Sequence, residues 1–196
     1  MNSLVLASKS PRRKSLLAAL GWKFRIIDPE IREKNGIGET PQETCVRLAV
    51  EKAGAVSKRF PEDIVIGADT IVVMEGKVFG KPRDEGESLE MIRCLSGRCH
   101  EVITGIAVCK GDRCLVDFET TKVSFRFLSS REIEAYVATG EGKDKAGAYA
   151  IQGKGSLLIS KIDGCYFNVV GLPLHRLSLL LGRFDISLSR QWEGFE

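Results

Sequence analysis

The sequence predicts an α/β fold with a mixed β-sheet wrapped by helices. Two observations carry this prediction: apolar segments typical of strands alternate with helical patterns, and several consecutive strands are joined by tight turns. Alternation favours parallel strands connected by helices, whereas tight turns connect antiparallel strands. The length of 196 residues fits a single domain over residues 1–196, and we expect the tail after about residue 183 to be loosely held.

The first half of the chain is predicted to open with a buried strand over residues 4–7 and a helix over 11–20. Ser10 is the expected N-cap of this helix, because serine caps helix starts well and the proline that follows suits the first helical position. The polar stretch 28–39 predicts a loop. The remaining elements of this half are a strand over 24–27, a helix over 41–59, and strands over 64–66 and 71–74.

The second half is predicted to begin with a helix over 84–95 and a long hairpin of strands over 102–109 and 114–128. A capping box at Ser129 starts a helix that ends at Thr139. The remaining elements are strands over 148–151 and 156–162 and a helix over 174–181.

Composition and charge exclude several classes of protein. With 43% hydrophobic and 28% charged residues, the chain has the composition of a folded globular protein. A net charge of +3 is far from that of a strongly basic nucleic-acid binder. No apolar run approaches the ~18 residues that span a membrane, and the run at the start is too short for a signal peptide. We therefore expect a cytoplasmic protein with no membrane partner, and the small net charge disfavours a nucleic-acid partner.

The six cysteines are too few for a disulfide scaffold. Because no export signal is visible, we expect them to be reduced thiols. Two pairs, Cys94 with Cys99 and Cys109 with Cys114, have spacings that a structural zinc site tolerates. Their context favours small buried hydrophobic side chains instead, because one pair begins at a helix end and the other flanks the turn of a hairpin.

Basic residues stand at the start of the first helix, where the helix dipole disfavours cations. Arg12 and Arg13 lie in its first turn, at a cost of about 0.3–1 kcal/mol each. The free N–H groups of the same turn attract anions, so a bound phosphate would remove the conflict. The pattern indicates a phosphate cradle with the hydroxyls of Ser8 and Ser10 as further donors. The alternative is a solvated basic patch.

Asp69 lies between two apolar segments, within Gly67-Ala68-Asp69-Thr70. A carboxylate with strongly apolar flanks is costly unless it is paired or binds a metal. Asp69 could ligate a divalent cation or accept a proton from water. The alternative is a turn aspartate that hydrogen-bonds its own backbone.

Three further charged residues are candidate site residues only when they are considered together with the segments above. Glu33 lies in the polar loop, Lys52 near the small-residue side of the second helix, and Lys81 between a glycine and a proline. Either lysine could contact phosphate as a point charge. Taken alone, each of the three is more typical of a solvated surface.

Small residues dominate the segment 144–153, which permits close approach of a ligand. Gln152 carries both a hydrogen-bond donor and an acceptor, which matches the N3–H and O4 edge of uracil or thymine. The alternative is the structural opening of a strand.

Taken together, these segments resemble the Maf family. The shared segments are residues 6–13, 51–53, 67–70, 80–82, 96–100, 144–153 and 169–173. They follow the family's order from residue 4 to about 181. The resemblance implies a cytoplasmic, often dimeric nucleoside triphosphate pyrophosphatase related in fold to inosine triphosphatases. It also implies an elongated mixed sheet with two lobes around a nucleotide-binding cleft.

The resemblance also implies a role for each candidate residue. Asp69 would be the catalytic proton acceptor, assisted by Glu33, and these two carboxylates would hold a divalent cation, Mg²⁺ or Mn²⁺. Lys52 and Lys81 would complete the catalytic set. The triphosphate would be bound by Ser8, Ser10 and Arg13.

The family's subgroups differ at three specificity positions, which fall here at Arg12, Thr70 and Gln152. This trio is similar to that of the subgroup that hydrolyses dTTP and UTP. The chemistry agrees, because a glutamate at position 152 would accept hydrogen bonds from guanine, whereas glutamine complements an imide edge.

The predicted reaction is therefore metal-dependent hydrolysis of a pyrimidine nucleoside triphosphate to the monophosphate and pyrophosphate, a house-cleaning activity. The substrates would be dTTP, UTP or modified pyrimidine nucleotides, and a homodimer is among the expectations. Two alternatives stay open: a non-enzymatic regulator of cell division that binds nucleotide or nucleic acid, and a phosphatase that removes only the γ-phosphate.

Overall fold

The computed structural model describes residues 3–31, 36 and 38–195. Within them the strands are β1 (Leu4–Leu6), β2 (Phe24–Ile26), β3 (Ile64–Met74), β4 (Lys77–Phe79), β5 (Cys99–Lys110), β6 (Arg113–Phe125) and β7 (Ile159–Asp163). The helices are α1 (Pro11–Ala19), α2 (Pro41–Ser57), α3 (Glu85–Leu95), α4 (Ser130–Ala138), α5 (Tyr166–Val170), α6 (Leu174–Gly182) and α7 (Leu188–Glu193). Two 3₁₀ helices cover Ala146–Ala148 and Gly153–Leu158. None of the helices described here is both long and apolar enough to cross a membrane.

The seven strands form one sheet with the order β2-β1-β3-β5-β6-β7, and β4 pairs with β3 beside this path. β1 runs parallel to both β2 and β3, whereas β4 is antiparallel to β3 and β7 is antiparallel to β6. The sheet is therefore mixed and flanked by helices, and the predicted fold class is confirmed.

The chain divides into two compact units, and three long strands contribute residues to both. The first unit comprises Met1–Asp69, Thr104–Glu119 and Gly171–Glu196. The second unit comprises Thr70–Ile103 and Thr120–Val170. Each has its own core: one core cluster of the first unit is built from small and aliphatic side chains such as Val5, Ala49 and Ala53, and the core of the second contains larger ones such as Phe125 and Tyr149.

Close approach of α2 to the sheet depends on two glycines in the first unit. A Cβ atom at Gly67 in β3 would lie 2.3 Å from the carbonyl oxygen of Ala49, and one at Gly105 in β5 would lie 2.5 Å from the backbone nitrogen of Val46. Real Cβ atoms do not tolerate such contacts with a helix backbone. The glycines therefore set the depth at which α2 lies on the sheet.

The structure corrects the sequence prediction at two candidate segments. β3 is unbroken from Ile64 to Met74, so Asp69 lies in a strand and not in a turn. The strand predicted over 148–151 does not form. Gly147, Ala148 and Gly153 all have positive φ, and these conformations interrupt extended backbone and favour the two 3₁₀ helices.

The chain after residue 183 packs against other parts of the first unit. The Gln191 side chain is buried and its Nε2 donates to the carbonyl oxygens of Ser178 and Ile186, at 3.1 and 2.9 Å. Trp22 Nε1 donates to the carbonyl oxygen of Gln191 at 2.8 Å. The prediction of a loosely held tail did not anticipate α7 or these contacts.

Cys109 and Cys114 are joined by a disulfide, so the prediction of reduced thiols is wrong for this pair. The two residues face each other near the turn between β5 and β6, with Cα atoms 4.1 Å apart. The two-residue turn at 111–112 reverses the chain between the strands, so positions 109 and 114 come close enough for their sulfur atoms to bond. Among the described residues, the cysteines that form no disulfide are Cys45, Cys94, Cys99 and Cys165.

Candidate functional site

The start of α1 follows directly from the carboxyl end of β1. The N–H of Ala7 donates to the carbonyl oxygen of Ile66 at 2.8 Å, after which the chain leaves the sheet and enters the helix. Ser10 is the N-cap, and its hydroxyl accepts from the N–H of Arg13 at 3.5 Å. The predicted cap, with proline at the first helical turn, is confirmed.

Arg13 is buried and tethered, so the alternative of a solvated patch does not describe this residue. Its Nε donates to the carbonyl oxygen of Gly171 at 2.7 Å, and its Nη1 donates to Ser8 Oγ at 3.4 Å. The same Ser8 hydroxyl accepts from the N–H of Ser10 at 3.1 Å. These contacts hold a guanidinium at a helix start, where the macrodipole disfavours it.

Lys52 and Asp69 form a buried ion pair, with Lys52 Nζ 2.6 Å from Asp69 Oδ1. Lys52 is on α2 and Asp69 is on β3, and the glycine at position 67 lets the helix approach the strand closely enough for this contact. The Asp69 carboxylate therefore accepts from Lys52 and lies in a strand, so the alternative of a turn aspartate is wrong. A buried pair of charges is expensive to desolvate and demands good geometry.

The parallel register of β1 and β3 places the start of α1 near the ion pair of Lys52 and Asp69. Leu6 of β1 pairs with Ile66 of β3, so the loop that starts at Ser8 leaves the sheet beside residues 67–69 of the neighbouring strand. In open α/β sheets, ligands bind outside the carboxyl ends of parallel strands. We call Ser8, Arg13, Lys52 and Asp69 the first-unit cluster.

The second unit brings together three other predicted segments. The N–H of Gly147 donates to the carbonyl oxygen of Gly80 at 3.0 Å, which places the segment around Lys81 beside the 3₁₀ helix Ala146–Ala148. A Cβ atom at Gly147 would lie 3.1 Å from the side chain of Val72, two residues after Thr70. Among these predicted residues Lys81 is exposed, and Thr70 and Gln152 are half-buried. Arg12, in the first unit, is also half-buried.

His100 lies among aromatic side chains next to the segment that carries Gln152. Its Nε2 is 2.8 Å from the hydroxyl of Tyr149, and its ring packs edge-to-face on Phe125 and Tyr149. Burial lowers the pKa of His100 to about 4 and raises the pKa of Tyr149. Both side chains are therefore neutral near pH 7 and act in packing.

The metal prediction rests on one described carboxylate. Glu33 lies outside the described residues, and within those that are described no group of three or more His, Cys, Asp or Glu side chains could hold a metal. Mg²⁺ binds through one or two carboxylates and takes its other ligands from water and substrate phosphates. The Asp69 carboxylate is a hard oxygen ligand of that kind, so the donors present fit such an ion.

The sequence patterns did not reveal two groups that hold candidate residues in place. One is the carbonyl of Gly171, which holds Arg13. The other is Glu141, whose carboxylate accepts from the backbone N–H groups of Lys154 and Gly155. A carboxylate between two glycines directly after a helix end, as in Gly140-Glu141-Gly142, is the local signal that could have identified Glu141.

Comparison with known proteins resolves the family. The family described as Maf-like protein matches residues 3–184. The chain belongs to the Maf family. The resemblance inferred from the sequence segments is thereby confirmed.

Similar proteins in this family are named dTTP/UTP pyrophosphatase. The relative from Symbiobacterium thermophilum is 52% identical over 184 residues, which cover 94% of this chain and 95% of the relative. The relative from Syntrophomonas wolfei is 48% identical, with 94% and 99% coverage. A relative from Bacillus cereus is 46% identical, with 96% and 99% coverage.

A solved structure supports the fold independently of close sequence similarity. The Ham1 protein of Staphylococcus aureus superposes with a TM-score of 0.53 at 17% identity, covering 93% of this chain and 100% of that one. At this level of identity the likeness concerns the fold alone.

Proposed function

We propose that this member of the Maf family is a nucleoside triphosphate pyrophosphatase that acts on dTTP, UTP and related pyrimidine nucleotides. The buried ion pair of Lys52 and Asp69 carries the proposal, because it holds a carboxylate and a cation together beside a helix start that attracts anions. The names of relatives that are 46–52% identical support the same activity.

In the proposed reaction, water attacks the α-phosphorus and the bond from that phosphorus to the α–β bridging oxygen breaks. The Asp69 carboxylate accepts the proton of the attacking water, and the bond's electron pair leaves with pyrophosphate. Lys52 orients the carboxylate through the 2.6 Å contact. A positioned general base of this kind contributes about 10²–10⁴-fold in rate.

Cations and helix N–H groups would stabilise the charge that develops on the leaving pyrophosphate. Arg13 is held in place by Ser8 and the carbonyl of Gly171, so little reorganisation is needed when phosphate binds. Ser10 caps the same helix start, whose N–H groups would also face the phosphates. Lys81, which is exposed in the second unit, would add a further point charge.

A divalent cation, Mg²⁺ or Mn²⁺, is part of the proposal. Asp69 would hold it, and Glu33 is the proposed second ligand. When bound, such an ion supplies positive charge that neutralises phosphate oxygens and polarises the phosphorus centre.

Base selection is assigned to Gln152, with Arg12 and Thr70 as the other proposed specificity positions. A glutamine amide offers one donor and one acceptor group, which complement the N3–H and O4 of uracil or thymine. Guanine adds a second donor, N2–H₂, beside its N1–H, and the single acceptor oxygen of a glutamine amide serves this pair of donors less well than the two oxygens of a carboxylate would.

The experiment that tests this function measures pyrophosphate release from a panel of nucleoside triphosphates, with Mg²⁺, with Mn²⁺ and with a chelator. We expect monophosphate and pyrophosphate from dTTP and UTP, slower reaction with purine nucleotides, and loss of activity in chelator. Release of orthophosphate with a diphosphate product would instead indicate a γ-phosphatase. No release from any nucleotide would favour the division-regulator alternative.

The domain extent, the cellular location and the assembly of the protein are also part of the proposal. We take residues 1–196 as one functional domain, because Asp69 and Thr70 are consecutive residues of a single strand although they belong to different units. The cytoplasm is the proposed location, since it holds the nucleotide pool. A homodimer is the proposed assembly, and light scattering of the purified protein measures it directly.

A further inference from the structure

We propose that Glu141 is a positioning residue that sets base preference by holding the turn on which Gln152 stands. The inference rests on the proposed function, since it assumes that Gln152 reads the base. All the contacts that support it lie within the second unit.

The carboxylate of Glu141 caps a helix that it does not belong to. Its Oε2 accepts from the N–H of Lys154 at 2.9 Å, and its Oε1 accepts from the N–H of Gly155 at 2.8 Å. These are the second and third residues of the 3₁₀ helix Gly153–Leu158. N–H groups at a helix start have no partner within the helix, so a carboxylate placed there satisfies two of them.

Gln152 occupies the N-cap position of this 3₁₀ helix, yet its side chain makes no capping hydrogen bond. The residue at an N-cap is normally the one whose side chain accepts from these N–H groups. Because Glu141 accepts from them instead, the amide of Gln152 is not drawn into local capping. It is left half-buried and able to hydrogen-bond to a ligand.

The turn closes tightly around Glu141. Gly153 has a φ of +70°, and a Cβ atom there would lie 2.7 Å from Glu141 Oε2. A Cβ atom at Gly155 would lie 2.1 Å from the carbonyl oxygen of Ala150. Position 155 therefore has no room for a side chain, and position 153 has a backbone conformation that L side chains rarely adopt, so the backbone after Gln152 has little freedom.

Tyr136 holds the backbone that precedes Gln152 in the chain. Its hydroxyl accepts from the N–H of Ala150 at 3.3 Å and lies 3.5 Å from Glu141 Oε1. The ammonium group of Lys145 donates to the backbone carbonyl of Glu141. The backbone before Gln152 is thus held by Tyr136 and the backbone after it by Glu141.

Positioning of this kind matters because hydrogen-bond recognition requires a side chain to be held within about 0.5 Å of its productive place. The Glu141 carboxylate is engaged with backbone N–H groups and acts through Gln152 rather than on the base. Its loss leaves two N–H groups at the helix start for the Gln152 amide to cap, which draws that amide away from the base.

The test compares Glu141→Ala with Glu132→Ala, a matched control that removes a capping carboxylate from the start of α4 in the same unit. The measured quantity is the ratio of kcat/KM for dTTP to kcat/KM for GTP. We expect Glu141→Ala to lower this ratio about tenfold, mainly through a higher KM for dTTP, and Glu132→Ala to leave it unchanged. An unchanged ratio in Glu141→Ala, or an equal fall in the control, overturns the inference.

Glu141→Gln is the conservative variant and keeps the shape of the side chain with one acceptor oxygen. We expect it to recover part of the dTTP preference, with a loss of about threefold. Should Glu141→Ala not fold, this variant carries the test alone, and wild-type preference in Glu141→Gln then contradicts the inference.

A double-mutant cycle separates this inference from the proposed function. If Glu141 acts through Gln152, then Glu141→Ala does not lower the ratio further in a Gln152→Ala background. If Gln152→Ala lowers the ratio and Glu141→Ala adds an independent loss, only the positioning role fails. If Gln152→Ala alone leaves the ratio unchanged, base reading by Gln152 fails, and the role of Glu141 fails with it.

Discussion

The two compact units hold their candidate residues in different ways. In the first unit, Arg13, Lys52 and Asp69 are buried and joined to other protein groups by ion pairs or hydrogen bonds. In the second unit, Lys81 is exposed and Gln152 is half-buried on a turn that other residues hold. The first unit thus orients charges through burial, and the second orients an amide through its backbone.

This difference between the units affects how much free energy a substitution costs. Charges that are out of water interact strongly, and removing one member of a buried pair leaves the other uncompensated. An amide at a half-buried position competes with water, so its hydrogen bonds contribute about 0.5–1.5 kcal/mol each. We therefore expect large effects from substitutions in the first unit and smaller ones in the second.

The largest effect is expected for Asp69→Asn. The variant keeps the shape of the side chain but removes the proton acceptor, so kcat on dTTP should fall by about 10²-fold or more. Turnover close to that of the wild type would contradict the catalytic assignment, and thermal unfolding of the same sample checks that the fold survives.

Gly67→Ala tests the depth at which α2 lies on the sheet. A methyl group 2.3 Å from the carbonyl oxygen of Ala49 must push the helix away, and we expect a loss of about 3 kcal/mol in the free energy of unfolding. Gly54→Ala is the matched control. Gly54 lies in α2 itself, and a Cβ atom added there would have no atom within 4 Å. That control should gain up to about 1 kcal/mol. Equal effects in urea unfolding would show that close packing at position 67 is unimportant.

A third prediction concerns the pH dependence of stability that comes from His100. The unfolded side chain takes up a proton near pH 6.5, whereas burial keeps the folded one neutral until about pH 4. The stabilising contribution of His100 is therefore complete above about pH 6.5 and is lost as the pH falls through this window. At about pH 5, we expect the titration of His100 to have lowered the free energy of unfolding by about 2 kcal/mol relative to neutral pH.

Urea unfolding across this pH range measures the effect. His100→Gln keeps a hydrogen-bonding group for Tyr149 but does not titrate, so its stability should fall less steeply between about pH 6.5 and 4. Identical slopes for the two proteins would show that His100 does not titrate differently on folding.

The smallest effect is expected for Gln152→Glu. A glutamate accepts hydrogen bonds but does not donate, so the preference for dTTP and UTP over GTP should fall by about tenfold, which corresponds to ~1.4 kcal/mol. Steady-state kinetics with the three nucleotides measures it. A preference equal to that of the wild type would show that the base is selected elsewhere.

Local rules explain why several features could be predicted. The caps at Ser10 and Ser129 both occur as expected, because a cap depends on residues only three positions apart. The fold class was also predictable, since alternation of strand and helix patterns is a property of the chain itself. Predictions failed where distant residues decide the backbone, as at the segments 67–70 and 148–151.

The sequence by itself determined the mixed α/β class, the helix starts at Ser10 and Ser129 and the family, because these depend on short-range patterns and on the order of segments along the chain. Only the tertiary structure decided that Asp69 lies in a strand against Lys52, that Arg13 is tethered to Gly171, and that Glu141 caps the turn of Gln152. The physical reason is the same in each case. A polar group finds its partner through packing between residues far apart in the chain, and no local propensity specifies that partner.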